Sequence, residues 1–177
     1  KYKSFETKEE ATKAFEKGYE HYLKTASSSK AAAGLTPKTP VGKPIWESLC
    51  VDAACSGNPG NMEYRGVYPP TMQEIFRIGP LKKGTNNIGE FLALVHGLAL
   101  LKQKGSSLPI YSDSRNAIGW VKKKKCKTLL ERVPENEPIF DMIERAEKWL
   151  KTNTYTTPIL KWETSEWGEI PADFGRK

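Results

Sequence analysis

The hydrophobic period of the chain changes once, at the segment Thr85-Asn86-Asn87. Before it, apolar residues come in short runs separated by turns. Glu47–Ala53 is rich in β-formers and ends at the turn Ser56-Gly57-Asn58-Pro59-Gly60, and residues 62–68 and 72–79 read as two more strands joined through Pro69-Pro70. Three strands so closely spaced predict an antiparallel meander. After the change, positions 90–103 place Phe91, Leu94, Val95, Leu98 and Leu101 on one helical face. Pro109–Ser112 then reads as a short buried strand, about 114–124 and 136–151 as helices, and 157–162 as the last strand. Pro171-Ala172-Asp173-Phe174-Gly175 reads as the start of a short terminal helix. The order β-β-β-α-β-α-α-β-α predicts an α/β fold, a five-stranded mixed sheet with helices packed on it. The helix between strands 3 and 4 is a crossover, so strand 4 should lie parallel to strand 1 with a right-handed connection.

A chain of 177 residues suits one ordinary domain plus an appendage. Residues 5–23 read as an amphipathic helix. Thr7 opens it with Glu10 three residues on, a capping-box spacing, and Ala11, Ala14, Phe15, Tyr19 and Tyr22 recur at helical intervals. From Thr25 to Lys43 the chain is rich in Ser, Ala, Thr, Pro and Gly, which cannot bury a core and reads as a linker. The expected organisation is an N-terminal helical piece at 1–24, a linker at 25–43 and the main domain at 44–177.

The net charge is +7 and the pI about 9.2. A basic balance suits a polyanionic partner such as nucleic acid. Residues 1–43 carry nine Lys and five Glu, net +4, which leaves +3 for residues 44–177. Any basic surface on the main domain must therefore be local. No apolar run approaches the length of a membrane span, and the charged residues at the start of the chain are unlike a secretory leader, so no membrane association is expected. Cys50, Cys55 and Cys126 are odd in number and contain no Cys-x-x-Cys pair. They predict free thiols in a reducing, cytoplasmic setting rather than a disulfide framework or a zinc site. The glycine-rich turn at 56–60 lacks the Lys-Ser/Thr ending of a nucleotide-binding P-loop.

Acidic residues fall where such a sheet would gather them. Asp52 lies near the end of strand 1 and Asp113 at the end of strand 4. If those strands are adjacent and parallel, the two carboxylates are neighbours at one end of the sheet. Glu90 opens the crossover helix, Asp173 opens the last helix, and Glu169 lies four residues before it. Like charges placed together repel and raise each other's pKa unless a cation sits among them. Ligands that are all oxygen favour hard ions such as Mg²⁺ or Mn²⁺. Two such ions roughly 3.5–4 Å apart can stabilise the attacking and leaving oxygens of an in-line phosphoryl displacement. The ordinary roles of helix cap and solvated charge remain open for Glu90 and Asp173, and are weaker for Asp52 and Asp113, which end apolar strands.

Four segments carry a family resemblance: Ser48–Gly60, Gly84–Phe91, Ile110–Ser114 and Trp167–Lys177. In this order and spacing they resemble the type 1 ribonucleases H, and the bacterial branch in particular, over about residues 46–177. The resemblance implies a ribonuclease H fold and Mg²⁺-dependent endonucleolytic hydrolysis of the RNA strand of RNA–DNA hybrids, leaving 3′-hydroxyl and 5′-phosphate ends. It implies two Mg²⁺ ions, replaceable by Mn²⁺, on Asp52, Glu90, Asp113 and Asp173. Asp52 and Asp113 would flank both ions. Glu90 would serve the second ion and the substrate 2′-hydroxyl, and Asp173 the first, with the attacking water. Glu169 matches a mobile acidic position that assists turnover, where other branches carry a histidine. No obligatory protein partner is evident. Residues 1–15 resemble the last part of a small hybrid-binding domain.

Substrate contacts are implied as well. Backbone groups at Cys55, Gly57 and Asn58 would meet ribose 2′-hydroxyls, although a tight turn needs the same glycines. Thr85, Asn87 and Thr128 match a pocket for a DNA phosphate; Thr85 and Asn87 suit helix capping equally, and both roles can coexist. Asn86 and Arg115 match minor-groove contacts, with Arg115 departing from the glutamine usual in this branch. Ser114 and Thr164 fall at further contact positions. Other features read as structure: Lys122–Lys125 as a solvated run at a helix C-terminus, Trp120 as a wall of the groove, His96 as a packed residue. Cys55 has no histidine placed to activate it as a nucleophile. The rival expectations are a DNA recombinase or junction nuclease on the same fold, and a non-catalytic hybrid-binding module.

Overall fold

Leu49–Cys55 (β1) runs through the middle of a five-stranded sheet in the computed structural model, which describes residues 41–175. Gly60–Tyr68 (β2) and Gln73–Gly84 (β3) lie antiparallel on one side of it, and Ile110–Ser112 (β4) and Ile159–Lys161 (β5) lie parallel on the other, in the order β3-β2-β1-β4-β5. The meander, the crossover and the parallel fourth strand are those expected from the sequence. The helix expected at 5–23, and the linker as far as residue 40, lie outside the described residues.

Successive residues of a strand point to opposite faces, and both faces of β1 are buried. Leu49, Val51 and Ala53 pack in the larger core, beneath the helix Asn86–Gln103 (α1). Cys50 faces the other way, into a smaller cluster with Val67, Tyr111, Trp162, Ile170 and Ala172. Asp52, two residues on from Cys50, shares that second face.

The helix α1 is not the one-sided amphipathic helix expected. Besides Phe91, Leu94, Val95, Leu98 and Leu101, it buries Ile88, Gly89, Glu90, Leu92, Ala93 and Gly97. A helix buried nearly all round belongs between layers, and α1 lies between the sheet and the helices Arg115–Lys122 (α2) and Glu137–Thr152 (α3). Each of its large apolar side chains contributes roughly 1.5–3 kcal/mol by leaving water. Two glycines let it lie close on the sheet. A Cβ on Gly97 would stand 2.5 Å from Ile110 Cδ1, and one on Gly89 would stand 2.7 Å from Ala53 Cβ.

Strands β1 and β5 are displaced or shorter by about two residues, and three further differences from expectation have a clear cause. First, α1 starts at Asn86, four residues early, because Thr85 caps it: Thr85 Oγ1 accepts from the Ile88 amide at 3.3 Å. Second, β3 continues through Pro80 to Gly84, since an edge strand tolerates a residue that cannot donate to the ladder. Third, residues 171–175 form a turn and irregular coil rather than a helix. The carbonyls of Ala172 and Asp173, which a helix would direct to later amides, accept instead from Arg65. The last helix among the described residues is a single turn, Thr164–Trp167 (α4).

An aromatic cluster closes the second face. Trp162 packs edge-on against Trp167, Tyr111 and Trp46, at centroid distances of 5.0, 5.4 and 6.4 Å. Trp162 Nε1 donates to the Gly168 carbonyl at 2.9 Å, and Trp167 Nε1 to the Gly42 carbonyl at 2.8 Å.

Candidate active site

The site forms where β4 ends before β1 does. The Leu49 amide donates towards the β4 side, to the Pro109 carbonyl at 2.9 Å, and alternate β1 amides point the same way. The β1–β4 ladder runs only through Leu49↔Ile110 and Cys50↔Tyr111. Further along, the amide of Ala53 meets a side chain in place of a strand: it donates to Glu90 Oε1 at 3.3 Å. Gly89, whose hydrogen allows the close approach to Ala53, sets Glu90 at that depth.

Carboxylate oxygens of Asp52, Glu90 and Asp113 all lie within 4.8 Å of one another. Asp52 is 0% exposed and Glu90 1%, while Asp113 is half-buried just past the end of β4. Glu90 is therefore neither a helix cap nor a solvated charge. Burial first, then the hydrogen bond and charge of Asp52, then the charge of Asp113, raise its pKa well above the ordinary value, against the lowering effect of the Ala53 amide. A buried group of this kind is unfavourable with every member ionised, and a hard cation relieves it. An all-oxygen set fits Mg²⁺ or Mn²⁺ better than softer metals.

The other two expected acids are placed differently. Asp173 lies outside the three-carboxylate group, in the coil after Ile170. Its backbone is fixed by Arg65, and Asp173 Oδ2 accepts from the Gly175 amide at 2.9 Å. Glu169 is exposed in the stretch between α4 and Ile170.

The end of β1 beyond Asp52 and the segment that opens α1 ahead of Glu90 line an open cleft of about 350 Å³, formed by Ala54, Cys55, Gly57, Asn58, Thr85, Asn86 and Asn87. Six residues expected to touch substrate, from two separate segments, thus share one surface. The turn forming one side is closed by the Ser56 amide on the Asn61 carbonyl at 2.9 Å and the Asn61 amide on Ser56 Oγ at 2.8 Å. Cys55 Sγ donates to the Gly57 carbonyl at 2.8 Å. The start of α1 forms the other side, where helix amides favour an anion. Thr128, expected in the same phosphate pocket, is not among the lining residues; its Oγ1 accepts from the Leu130 amide at 3.1 Å. Ser114 caps α2 through the Ala117 amide at 3.1 Å, Arg115 is exposed on its first turn, and Thr164 begins α4.

Of the residues read as structure, His96 and the lysine run are so placed, while Trp120 packs against the main core and is not among the residues that line the cleft. His96 stacks on Phe76 at 4.0 Å, meets Tyr64 Oη at 3.2 Å, and has its pKa lowered by burial. Trp120 lies edge-on to Phe91 at 6.3 Å. Lys122 ends α2, and Lys125 pairs with Glu147 at 3.0 Å. Cys50 and Cys126 are buried, which pushes both thiols up to about 12. Among the described residues no helix is long and apolar enough to cross a membrane.

The RNase H family model matches residues 47–161. The chain belongs to the RNase H family. Among curated members, it is 41% identical over 75 residues to the ribonuclease H of Rhodopirellula baltica, over 41% of this chain and 46% of that protein. It is 31% identical over 137 residues to the ribonuclease H of Rickettsia bellii, over 71% of this chain and 83% of that one. The match thus spans about half of the first relative and most of the second. Solved RNase H structures that resemble it include LC11-RNase H1 from compost, at 16% identity, a TM-score of 0.41 and coverage of 68% and 87% of the two chains. RNase H1 of Halobacterium salinarum resembles it at 19% identity, a TM-score of 0.41 and coverage of 67% and 86%. Two residues at this RNase H site were missed by sequence reasoning: Ala54, which lines the cleft, and Arg65, across the ladder from Asp52 and bound to the carbonyls of Ala172 and Asp173. For Arg65 the only available signal was a charged residue inside a strand, between Tyr64 and Gly66.

Proposed function

We propose that this protein is a type 1 ribonuclease H of the bacterial branch, cutting the RNA strand of RNA–DNA hybrids to leave 3′-hydroxyl and 5′-phosphate ends. The observation that carries the reading is the Asp52–Glu90–Asp113 group, whose buried Asp52 and Glu90 stand on the strand and helix that also line the cleft of Cys55, Gly57, Asn58, Thr85, Asn86 and Asn87. Two Mg²⁺ ions, or Mn²⁺ in their place, would supply charge neutralisation of the phosphate and a water of lowered pKa. Asp52, Glu90 and Asp113 would hold them together with Asp173.

The chain's own residues do the rest. Glu90, held by the Ala53 amide, faces the site with a fixed carboxylate and reads the ribose 2′-hydroxyl, the group that separates RNA from DNA. The backbone at Cys55, Gly57 and Asn58 meets neighbouring riboses. Thr85 and Asn87, at the start of α1, receive a phosphate of the DNA strand, with Thr128 closing in from its loop. Asn86, Ser114, Arg115 and Thr164 contact the duplex at their margins. Glu169, exposed on coil, acts in product release.

The test is cleavage of a labelled hybrid with and without EDTA, beside duplex RNA and duplex DNA. Metal-dependent cutting of the RNA strand of the hybrid alone is expected. Cutting of duplex DNA would replace the assignment with the recombinase reading, and hybrid binding without cleavage would leave only a binding module.

A further inference from the structure

Arg65 stands directly across from Asp52 in the β1–β2 ladder, and paired residues in an antiparallel ladder share one face of the sheet. Its half-buried guanidinium is engaged on every edge. Nε donates to the Ala172 carbonyl at 2.8 Å, Nη2 to the Asp173 carbonyl at 2.6 Å, and Nη1 to Glu74 Oε2 at 3.2 Å. Its Cζ lies over the Phe174 ring, 4.9 Å from the ring centre, and the Arg77 Cζ lies 5.2 Å from the same centre. Arg77 is in turn held by the buried Glu63 at 3.0 Å.

The two carbonyls flank the Asp173 Cα. One rigid, planar group binding both fixes the direction in which the Asp173 side chain leaves the backbone. The surrounding stretch has no helix or strand to do this. We propose that Arg65 is a positioning residue: it aims the Asp173 carboxylate at the cation site begun by Asp52, its partner across the ladder, with the Phe174 ring against the Arg65 and Arg77 guanidinium groups as the anchor. This rests on the reading that Asp173 holds a metal ion. Lysine could not replace it fully, because an ammonium group lacks the fork that spans two successive carbonyls.

The experiment measures Mn²⁺ binding to the full chain by water-proton relaxation, which needs no catalysis, beside the Mg²⁺ dependence of hybrid cleavage. Arg65→Ala should weaken the Mn²⁺ site served by Asp173 by about tenfold or more, the usual effect of removing a partner that orients a ligand. Arg65→Lys should fall between Arg65→Ala and the parent, and if Arg65→Ala does not fold, Arg65→Lys carries the comparison. Arg65→Ala added to Asp173→Asn should cost nothing further in Mn²⁺ affinity, because both remove the same ligand. Unchanged Mn²⁺ affinity in a folded Arg65 variant, or additive losses in the double variant, would overturn the proposal. So would an Asp173→Asn variant that binds Mn²⁺ like the parent. If the parent binds Mn²⁺ in this way but cuts no hybrid, the nuclease reading fails and the role of Arg65 stands.

Discussion

Asp52 and Glu90 stand on a central strand and a core helix, 0% and 1% exposed, whereas Asp173 and Glu169 lie on coil, half-buried and exposed. The first pair is fixed by packing on every side. The second sits on coil anchored by the buried Ile170 and Ala172, and is placed by polar contacts from Arg65 and Trp162. Groups of low local stability are the ones that can move during a reaction cycle, so the difference separates acids that define the site from acids that can adjust to it.

The largest expected effect comes from the three-carboxylate group to which Asp52 and Glu90 belong. Asp113→Asn keeps shape and removes a charge facing phosphate. It should lower hybrid cleavage by about a thousandfold or more, the several kcal/mol expected of a lost metal ligand, while hybrid binding holds or tightens. Weak hybrid binding in a folded Asp113→Asn protein would count against the site. Gly89→Ala tests whether depth matters as much as charge. Its Cβ would press on Ala53 Cβ at 2.7 Å, so α1 must lift and carry Glu90 with it. Overpacking of this kind costs about 1–3 kcal/mol, and a shift of about 1 Å at the reacting groups can cost about a hundredfold in rate. Thermal melts and cleavage rates together measure both.

The adjustable side should respond differently. Glu169→Ala should slow multiple turnover by roughly tenfold, as expected where release limits the rate, with a smaller loss in a single-turnover cleavage step. Equal losses in both assays would make Glu169 an ordinary ligand. The smallest effect concerns stability. Glu90 has a folded pKa above its unfolded one, so the metal-free protein binds an extra proton when folded. Its stability falls as pH rises from the ordinary value of 4.5 through the raised one. Glu90→Gln keeps an acceptor for the Ala53 amide without the charge. At neutral pH the metal-free variant should be more stable by about 1–2 kcal/mol and lack that pH dependence. Saturating Mg²⁺ should reverse the ranking, and melts that do not depend on Mg²⁺ would contradict it.

What could be read in advance follows the same division. Asp52 and Asp113 were legible because each follows an apolar stretch of its strand, and a right-handed crossover makes those strands neighbours. The cleft residues were legible as motifs in two segments, though only the fold shows that both line one surface. Glu90 was legible as a position but not as a buried group. Its helix begins four residues earlier than its apolar pattern does, because Thr85 supplies the cap and α1 is covered on more than one side. The coil at 171–175 read as a helix because Pro171 suits a first turn. The competing force, the grip of Arg65 from over a hundred residues away, leaves no local trace. Thr128 matches a motif, yet the structure spends its hydroxyl on its own loop.

The tryptophans on the second face give the molecule an optical gauge. Trp162 and Trp167 touch each other, and Trp162 holds the Gly168 carbonyl, one residue before Glu169. Indole emission depends on what surrounds the ring, and these two rings grip the stretch leading to the adjustable acids. Metal or hybrid binding that rearranges that stretch should change the colour or intensity of their light without any added dye. The core around α1, whose only indoles lie on its outer helices at Trp120 and Trp149, should stay comparatively silent. The protein thus carries a spectroscopic label on the half of its site that lies on coil.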